Sequence, residues 1–500
     1  MSAVLLRPFE GLYDALSDVK KADRTAFLLL VPFIALYTLH AIIANASTGL
    51  NQDLGELVAW SRQPAWGFKH PPMSAMFALV WFSVFPLTDW SAYLLAMVVS
   101  ASAVWIAWCV CREWLPRDRW PLSLAMLMLI PLYSFHALKF NANTVMMPFW
   151  AAATLYFLRS NLARDVRSSA WTGIAASGAM LGKYWSVNLL AGLGLAALFD
   201  RERCSYARSK APWITIAAAL LTFLPHLLWL RSEGGDAMRF AMSIHGENAA
   251  PLRSLPYVAG GVGYVIVPLL LFASLRPSRA ALRDTVRPPD RERALIAMVF
   301  WIPLMLPAVL NFIVPTRLTA LWTIPNWTLL PVVLLGSTLV NVTRRTSVIA
   351  LVLALVVPMV AVAAAPLVAI QNLNAREQTL PSQFQMLARS AQEAWHRTST
   401  APMPLLGGDQ QLSTGAAFYA TDLPIALVDD PGNARSRAII ERDGIVLLCQ
   451  ATNLACRTWQ DSAAVRWPSR RSDIRLRRFY RGAPGPAVDY VIVAIPPRAR

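Results

Sequence analysis

Residues 71–87 read PPMSAMFALVWFSVFPL, and the placement of this apolar run decides the topology of everything after it. Taken as a full membrane span, it puts the cluster Arg112, Arg117 and Arg119 on the far side and inverts every later loop. Taken as a helix lying in the membrane interface, with Pro71 and Pro72 in its first turn, it keeps the basic clusters on one side. Those clusters fall at Lys20, Lys21 and Arg24, at Arg112 to Arg119, at Arg159, Arg164 and Arg167, at Arg201 to Lys210, across Arg276 to Arg293, and at Arg344 and Arg345. The loops around Asn51, Asn141, Lys183, His245 and Arg317 are poorer in Lys and Arg. Positive charge marks the cytoplasmic side, so the interfacial placement is adopted: the N-terminus lies inside, about eleven spans follow, and residues after 371 lie outside.

Composition requires lipid as a solvent. Of 500 residues 56% are hydrophobic and 15% charged, whereas a soluble domain carries about a quarter charged. Mean hydropathy is +0.43. Apolar runs at 25–44, 90–110, 211–230, 256–275, 294–314 and 347–370 have the length of roughly 17–25 residues that a bilayer core demands. Glu10, Asp14, Asp18 and Asp23 precede the first of them, which argues against a cleavable signal peptide. Residues 1–24 read as a cytoplasmic amphipathic lead-in. The formal charge of +17 resides in the loops, so it points to topology and not to a nucleic-acid partner.

The expected fold class is a polytopic α-helical membrane protein with a small C-terminal α/β extracytoplasmic domain. Residues 25–370 form the transmembrane part, with a long first outer loop over 45–89, and 371–500 form the outer domain. Residues 168–200 are apolar with basic residues at both ends, so they cross and return, and Lys183 sits near the turn. In the last 130 residues, PLLGG, IALVDD, GIVLLCQ and DYVIVAI read as strands beside helix-like stretches such as 382–396. A hairpin in LLCQATNLACRTW would bring Cys449 and Cys456 together as a disulfide in an oxidising compartment. Cys109, Cys111 and Cys204 read as inert thiols and not as a metal site.

The first outer loop contains LNQDLGELVAWSRQPAWGFKHPPMSAMF. Asp53 and Glu56 are three apart and share a helix face. A solvated loop helix explains them equally well from spacing alone. Lys69 and His70, just before the double proline, place cations at the same membrane depth as those carboxylates. Lys183, in a short turn between apolar runs, is costly without an anion. Arg317 reads as a snorkelling anchor or a ligand, His245 as a surface residue or a substrate contact, and His226, beside Pro225, as bonded to backbone.

An acidic residue in a long first loop, an aromatic and glycine stretch, then a basic residue and HPP before an apolar helix, resembles the GT-C superfamily, in particular the family 39-like protein O-mannosyltransferases and lipid A aminoarabinose transferases with their bacterial relatives. HALKFNANTVMMPFW is similar to their second outer loop, MLGKYW to their small-small-Lys turn, and GGDQQLSTGAAFYATDLPIAL to the outer domain of bacterial members. The resemblance implies a multi-pass enzyme of the bacterial inner membrane. It would pass a sugar from a polyprenyl-phosphate donor to a glycolipid, lipopolysaccharide or protein acceptor on the periplasmic side, with inversion. Asp53 is then the general base, and Glu56 assists it or positions the acceptor. Lys69, His70, Lys183, His245 and Arg317 bind the donor phosphate or substrate, with Asn141 and Asn143 beside them. Several relatives carry a carboxylate at the position of Asn143. An amide orients a hydroxyl but neither takes a proton nor binds a cation strongly, so no cofactor is expected and a divalent metal, although possible, has no support. A transporter or flippase, and a lipid-binding assembly protein without activity, are the competing readings. The first should show internal repeats and broken, charged midplane helices.

Overall fold

The computed structural model describes residues 3–62, 70–232, 254–374, 383–427 and 434–498. Five of the described helices are long and apolar enough to cross a membrane: Ala22–Ala44, Asp89–Trp114, Ala211–Ser232, Arg291–Ile313 and Arg344–Asn374. Two bent pairs bring the count to seven if each is one span, namely Arg117–Met128 with Pro131–Lys139 and Ser254–Tyr264 with Ile266–Ser274. The second pair falls on the apolar run 256–275, and the chain bends there by 61°. Gly260, Gly261 and Gly263 weaken the helix just before the bend, and Pro268 removes an internal hydrogen bond just after it.

Residues 71–87 contain a single helix of 10 residues, Met73–Phe82. At 1.5 Å per residue it is about 15 Å long, about half the hydrocarbon core, so it does not reach across. Pro71 and Pro72 precede this helix instead of occupying its first turn. The run 168–200 is broken at Lys183. Val166–Gly182 stops where Lys183 turns extended (φ −160°, ψ 134°), and Val187–Phe199 follows a short 3-10 turn.

The chain forms two compact units. The first comprises Met1–Tyr37, Trp66–Ser74 and Ala96–Val360, and the second Thr38–Ala65, Ala75–Leu95 and Ala361–Arg500. In the first unit, helix Ala211–Ser232 exposes Trp213, Leu220, Leu221 and Leu228, an apolar surface that only lipid satisfies. The loops that carry the basic clusters are joined in pairs by ion contacts: Asp23 with Arg112, Glu113 with Arg159, Glu202 with Arg164, Asp200 with Arg291, Asp284 with Arg293 and Asp14 with Arg344. Loops that charge asymmetry assigns to one side are therefore tied to one another in pairs. Arg119 is an exception to the picture of solvated loop arginines. It is 7% exposed and donates to the carbonyls of Leu335, Ser337 and Val340, where it caps the helix Leu330–Leu335.

The second unit is built on a five-stranded sheet of order β2-β1-β3-β5-β4. Its strands are β1 (Leu405–Gly408), β2 (Ile425–Ala426), β3 (Ile445–Gln450), β4 (Arg470–Tyr480) and β5 (Ala483–Ile495). β1 runs parallel to β2 and β3, while β5 is antiparallel to both β3 and β4. Helices Phe384–His396 and Gln410–Tyr419 cover one face through Phe384, Leu387, Trp395 and Leu412, which pack with Leu406, Leu448 and Ile492. Ile440 and Ala463, from helices Ala434–Asp443 and Leu454–Arg466, close the other face over Leu447 and Val493. Cys449 and Cys456 are joined as a disulfide. The bridge spans a strand-to-helix turn, from β3 to Leu454–Arg466, and not a hairpin.

Candidate active site

Asp53 and Glu56 both lie on helix Gln52–Ser61, which begins at Asn51, whose side chain accepts from the Asp53 amide at 2.9 Å. Leu54, Leu57, Val58 and Ala59 face inward on this helix and are buried. Asp53 and Glu56 fall on its half-exposed side, as the three-residue spacing requires. The helix is set firmly into the second unit. Gly55 crosses the Gln410–Tyr419 helix so closely that a Cβ would lie 3.1 Å from the Gly415 Cα, and Ala59 belongs to the core beneath the sheet. Arg62 Nη1 donates to the carbonyls of Ala417 and Pro424 at 3.1 and 3.2 Å. Burial of this guanidinium lowers its pKa from the ordinary arginine value.

Gln410 Nε2 donates to Glu56 Oε1 at 2.8 Å, so one of the two carboxylates is oriented by the C-terminal part of the chain. Tyr419 adds a further tie by accepting from the Leu50 amide at 3.0 Å and donating to Asp89 Oδ1 at 2.7 Å. Burial first, and then the Asp89 carboxylate, push this phenol far above its ordinary pKa. It therefore stays a donor at any working pH.

In the first unit, Asn141, Asn143 and Lys183 meet. The Asn141 side chain caps helix Ala142–Ala163 by accepting from the Asn143 amide at 2.9 Å. Asn143 Oδ1 in turn accepts from Lys183 Nζ at 2.6 Å. The ammonium stands 5.0 Å from the centre of the Trp322 ring, a cation–π distance. Trp322 is itself fixed, because Trp185 Nε1 donates to its carbonyl at 3.0 Å. A cation is thus oriented at the break between two apolar helices. Behind the same 3-10 stretch, Ala320–Leu329, lies a cavity of about 150 Å³ walled by Val262, Val265, Phe300, Leu304 and Trp327.

Of the remaining candidates, Arg317 is exposed after helix Arg291–Ile313, and His70 is half-buried ahead of Met73–Phe82. Lys69 and His245 lie outside the described residues. His226 is buried and meets the Tyr184 hydroxyl through Nε2 at 2.8 Å. Sequence reasoning passed over Gln410 and Trp322. Gln410 lies in the quoted segment GGDQQL, but the partners of both residues are remote in sequence. Among the described residues, no group of three or more His, Cys, Asp or Glu side chains could hold a metal ion.

Residues 69–229 match the profile of the family described as dolichyl-phosphate-mannose-protein mannosyltransferase. Among solved structures, the chain is similar to apo ArnT from Cupriavidus metallidurans, with a TM-score of 0.58 at 14% identity, covering 93% of this chain and 97% of that one. It also matches the archaeal oligosaccharyltransferase AglB from Archaeoglobus fulgidus, solved with an inhibitory peptide and a dolichol-phosphate. That match has a TM-score of 0.41 at 11% identity over 83% and 69% of the two chains, too loose to build on. No curated protein matches the sequence. The resemblance to GT-C enzymes is thus met by a family profile over the loop-and-helix core and by an ArnT-like fold over nearly the whole chain.

Proposed function

We propose that this chain is a glycosyltransferase of the bacterial inner membrane that moves a sugar from a polyprenyl-phosphate donor to a glycolipid, lipopolysaccharide or protein acceptor. The N-terminus is cytoplasmic, the chain crosses about eleven times, and residues 371–500 lie in the periplasm with the first loop, 45–89. The observation that carries the reading is Lys183, a cation oriented by an amide and an indole at a helix break, on a fold shared with ArnT. Such a cation suits a phosphate at the membrane boundary. The apolar cavity behind Trp327 suits part of a prenyl chain.

In the reaction, an acceptor hydroxyl attacks the anomeric carbon from the face opposite the phosphate, and the carbon–oxygen bond to that phosphate breaks. Asp53 takes the hydroxyl proton, and Glu56, held by Gln410, positions the acceptor. Lys183, with Lys69, His70, His245 and Arg317, takes up the charge that grows on the departing polyprenyl phosphate, and Asn141 and Asn143 hold Lys183 in place. Stabilisation of that charge counts only insofar as it exceeds ground-state binding.

The test is Asp53→Asn, assayed for sugar transfer in membranes supplied with polyprenyl-phosphate sugars. Size and hydrogen bonding are kept and the proton acceptor is lost, so turnover should fall by about 10² to 10⁴ while donor binding persists. Undiminished transfer would remove Asp53 as base and leave Glu56 as the next residue to replace. A lipid-binding assembly protein would show no transfer to lose.

A further inference from the structure

The β4–β5 hairpin ends in a two-residue turn, with Tyr480 paired to Ala483 across it. Arg481 and Gly482 both have positive φ, 48° and 82°. Asn-Gly or Asp-Gly is the usual occupant of such a turn, because glycine has no Cβ to clash at positive φ and the short polar side chains of Asn and Asp tolerate it better than others do. Arginine in the first position is therefore strained. Around it, Arg477 and Phe479 are exposed, Phe479 by 61%, and the Arg481 guanidinium lies 5.8 Å from the Tyr480 ring centre.

Residues flanking the tip touch the ends of two candidate spans and act electrostatically on the end of a third. Arg478 Nη2 donates to the carbonyl of Ala46 at 2.5 Å, two residues beyond the end of Ala22–Ala44. The same guanidinium acts electrostatically on Asp89, the first residue of Asp89–Trp114. Gly485 approaches Leu373, in the last turn of Arg344–Asn374, so closely that a Cβ would lie 2.9 Å from its Cδ1. Helices that cross a bilayer end at its headgroups, and that is where these contacts put the tip.

We propose that the tip of the β4–β5 hairpin, through Arg477, Phe479 and Arg481, docks on the phosphates of anionic phospholipid headgroups at the rim of the membrane its neighbouring helices cross. Arginines on an edge strand also serve to discourage pairing with other chains. That role fits the middle of β4, where Arg471 meets Asp461 and Asp473, and Arg475 meets Asp489. Among the described residues, Arg477 and Arg481 form no ion pair, and deterring aggregation gives no reason to expose a phenylalanine beside them. Basic and aromatic side chains together suit the interface, where the ring enters the headgroup layer and the guanidinium meets phosphate. The second unit already presents Leu79, Val80 and Val84 in and after helix Met73–Phe82, side chains that lipid would cover. The proposal needs only the membrane-spanning helices and stands whether or not the chain transfers sugar.

The full chain, carrying Cys204→Ser, is labelled with bimane at Ala483→Cys in one sample and at Val465→Cys in another. Val465 is a control, 90% exposed on helix Leu454–Arg466. Each sample is placed one copy per nanodisc in phosphatidylcholine bearing a headgroup nitroxide, with and without phosphatidylglycerol. Quenching at 483 should exceed that at 465, rise with phosphatidylglycerol and fall in high salt. Arg477→Ser and Arg481→Ser should each lower the docked-to-undocked ratio about fivefold, while the two lysine substitutions keep most of it. Equal quenching at the two positions overturns the proposal. So does quenching at 483 that ignores phosphatidylglycerol and salt in the unsubstituted tip, a result that leaves the sugar-transfer reading untouched.

Discussion

The two ends of helix Ala142–Ala163 hold positive charge through different kinds of side chain. At the C-terminal end, Glu113 grips Arg159 through three contacts of 2.6–3.1 Å, and Glu202 meets Arg164. Asp200 and Asn161 share Arg291 at 2.7 and 2.9 Å. At the N-terminal end, Asn143 and the Trp322 ring orient Lys183. Carboxylates cancel the charge they bind, whereas an amide or an indole fixes a cation and leaves its charge intact. The first kind of contact ties loops together, and the second is the kind that the proposed phosphate site would use. If Lys183 meets the donor phosphate as proposed, one helix separates a fastening end from a binding end, and substitutions at the two should affect different measurements.

The largest effect expected is from Asp200→Asn. Asp200 is 1% exposed and Arg291 22% exposed, so removing the carboxylate strands a mostly buried guanidinium. A fully buried pair loses about 3–5 kcal/mol in that way, but Glu202 stands 3.4 Å from Arg291 as a partial substitute. A loss of about 2–3 kcal/mol is therefore expected, read as a lower midpoint of thermal unfolding in detergent. Donor affinity of the folded fraction should not change, and a change there would collapse the distinction between the two ends.

Lys183→Ala should do the reverse. Charge-assisted hydrogen bonds are worth about 1.5–3 kcal/mol, so affinity for a polyprenyl-phosphate sugar should fall roughly 10- to 100-fold with little movement of the thermal midpoint. Asn143→Asp is a subtler probe. It leaves Lys183 held but converts the contact into the cancelling kind found at the other end of the helix, so donor affinity should drop about tenfold. The protein should be no less stable. Donor affinity that survives Asn143→Asp would show that the amide holds Lys183 for architecture alone.

How much of this was legible follows from what kind of contact each feature depends on. The Lys183 turn, the short helix after HPP, and the helix bearing Asp53 could be read because local periodicity and charge fix them within a few residues. β4 was missed, although its alternate residues Ser472, Ile474, Leu476 and Arg478 are the half-buried ones. Its other face is dominated by arginines, which lower apparent strand propensity. The bend near Val265 was hidden because glycine and proline weaken a helix without fixing its angle. Gln410 with Glu56, Trp322 with Lys183, and Arg119 with the Leu335 carbonyl join residues too far apart in sequence for any local pattern to reveal. Arg119 in particular read as a solvated loop cation, since nothing local foretells carbonyls at Leu335, Ser337 and Val340.

The smallest expected effect is also the strictest test of the comparison. Arg159 and Glu113 form a bidentate pair with favourable distances, and the guanidinium also lies 5.5 Å from the Tyr156 ring. Geometry alone would suggest a strong contribution. Yet the two side chains are 37% and 35% exposed, and a pair that water reaches is screened and must give up side-chain entropy, which leaves about 0.2–1 kcal/mol. Arg159→Ala should therefore lower the thermal midpoint only slightly, and Glu113→Ala should add little on top of it, because most of what either carries is the shared contact. Raising the salt should narrow even that difference. A loss as large as that of Asp200→Asn would mean that this end of the helix is shielded from water, and the fastening role would then rest on Glu113 as much as on Asp200.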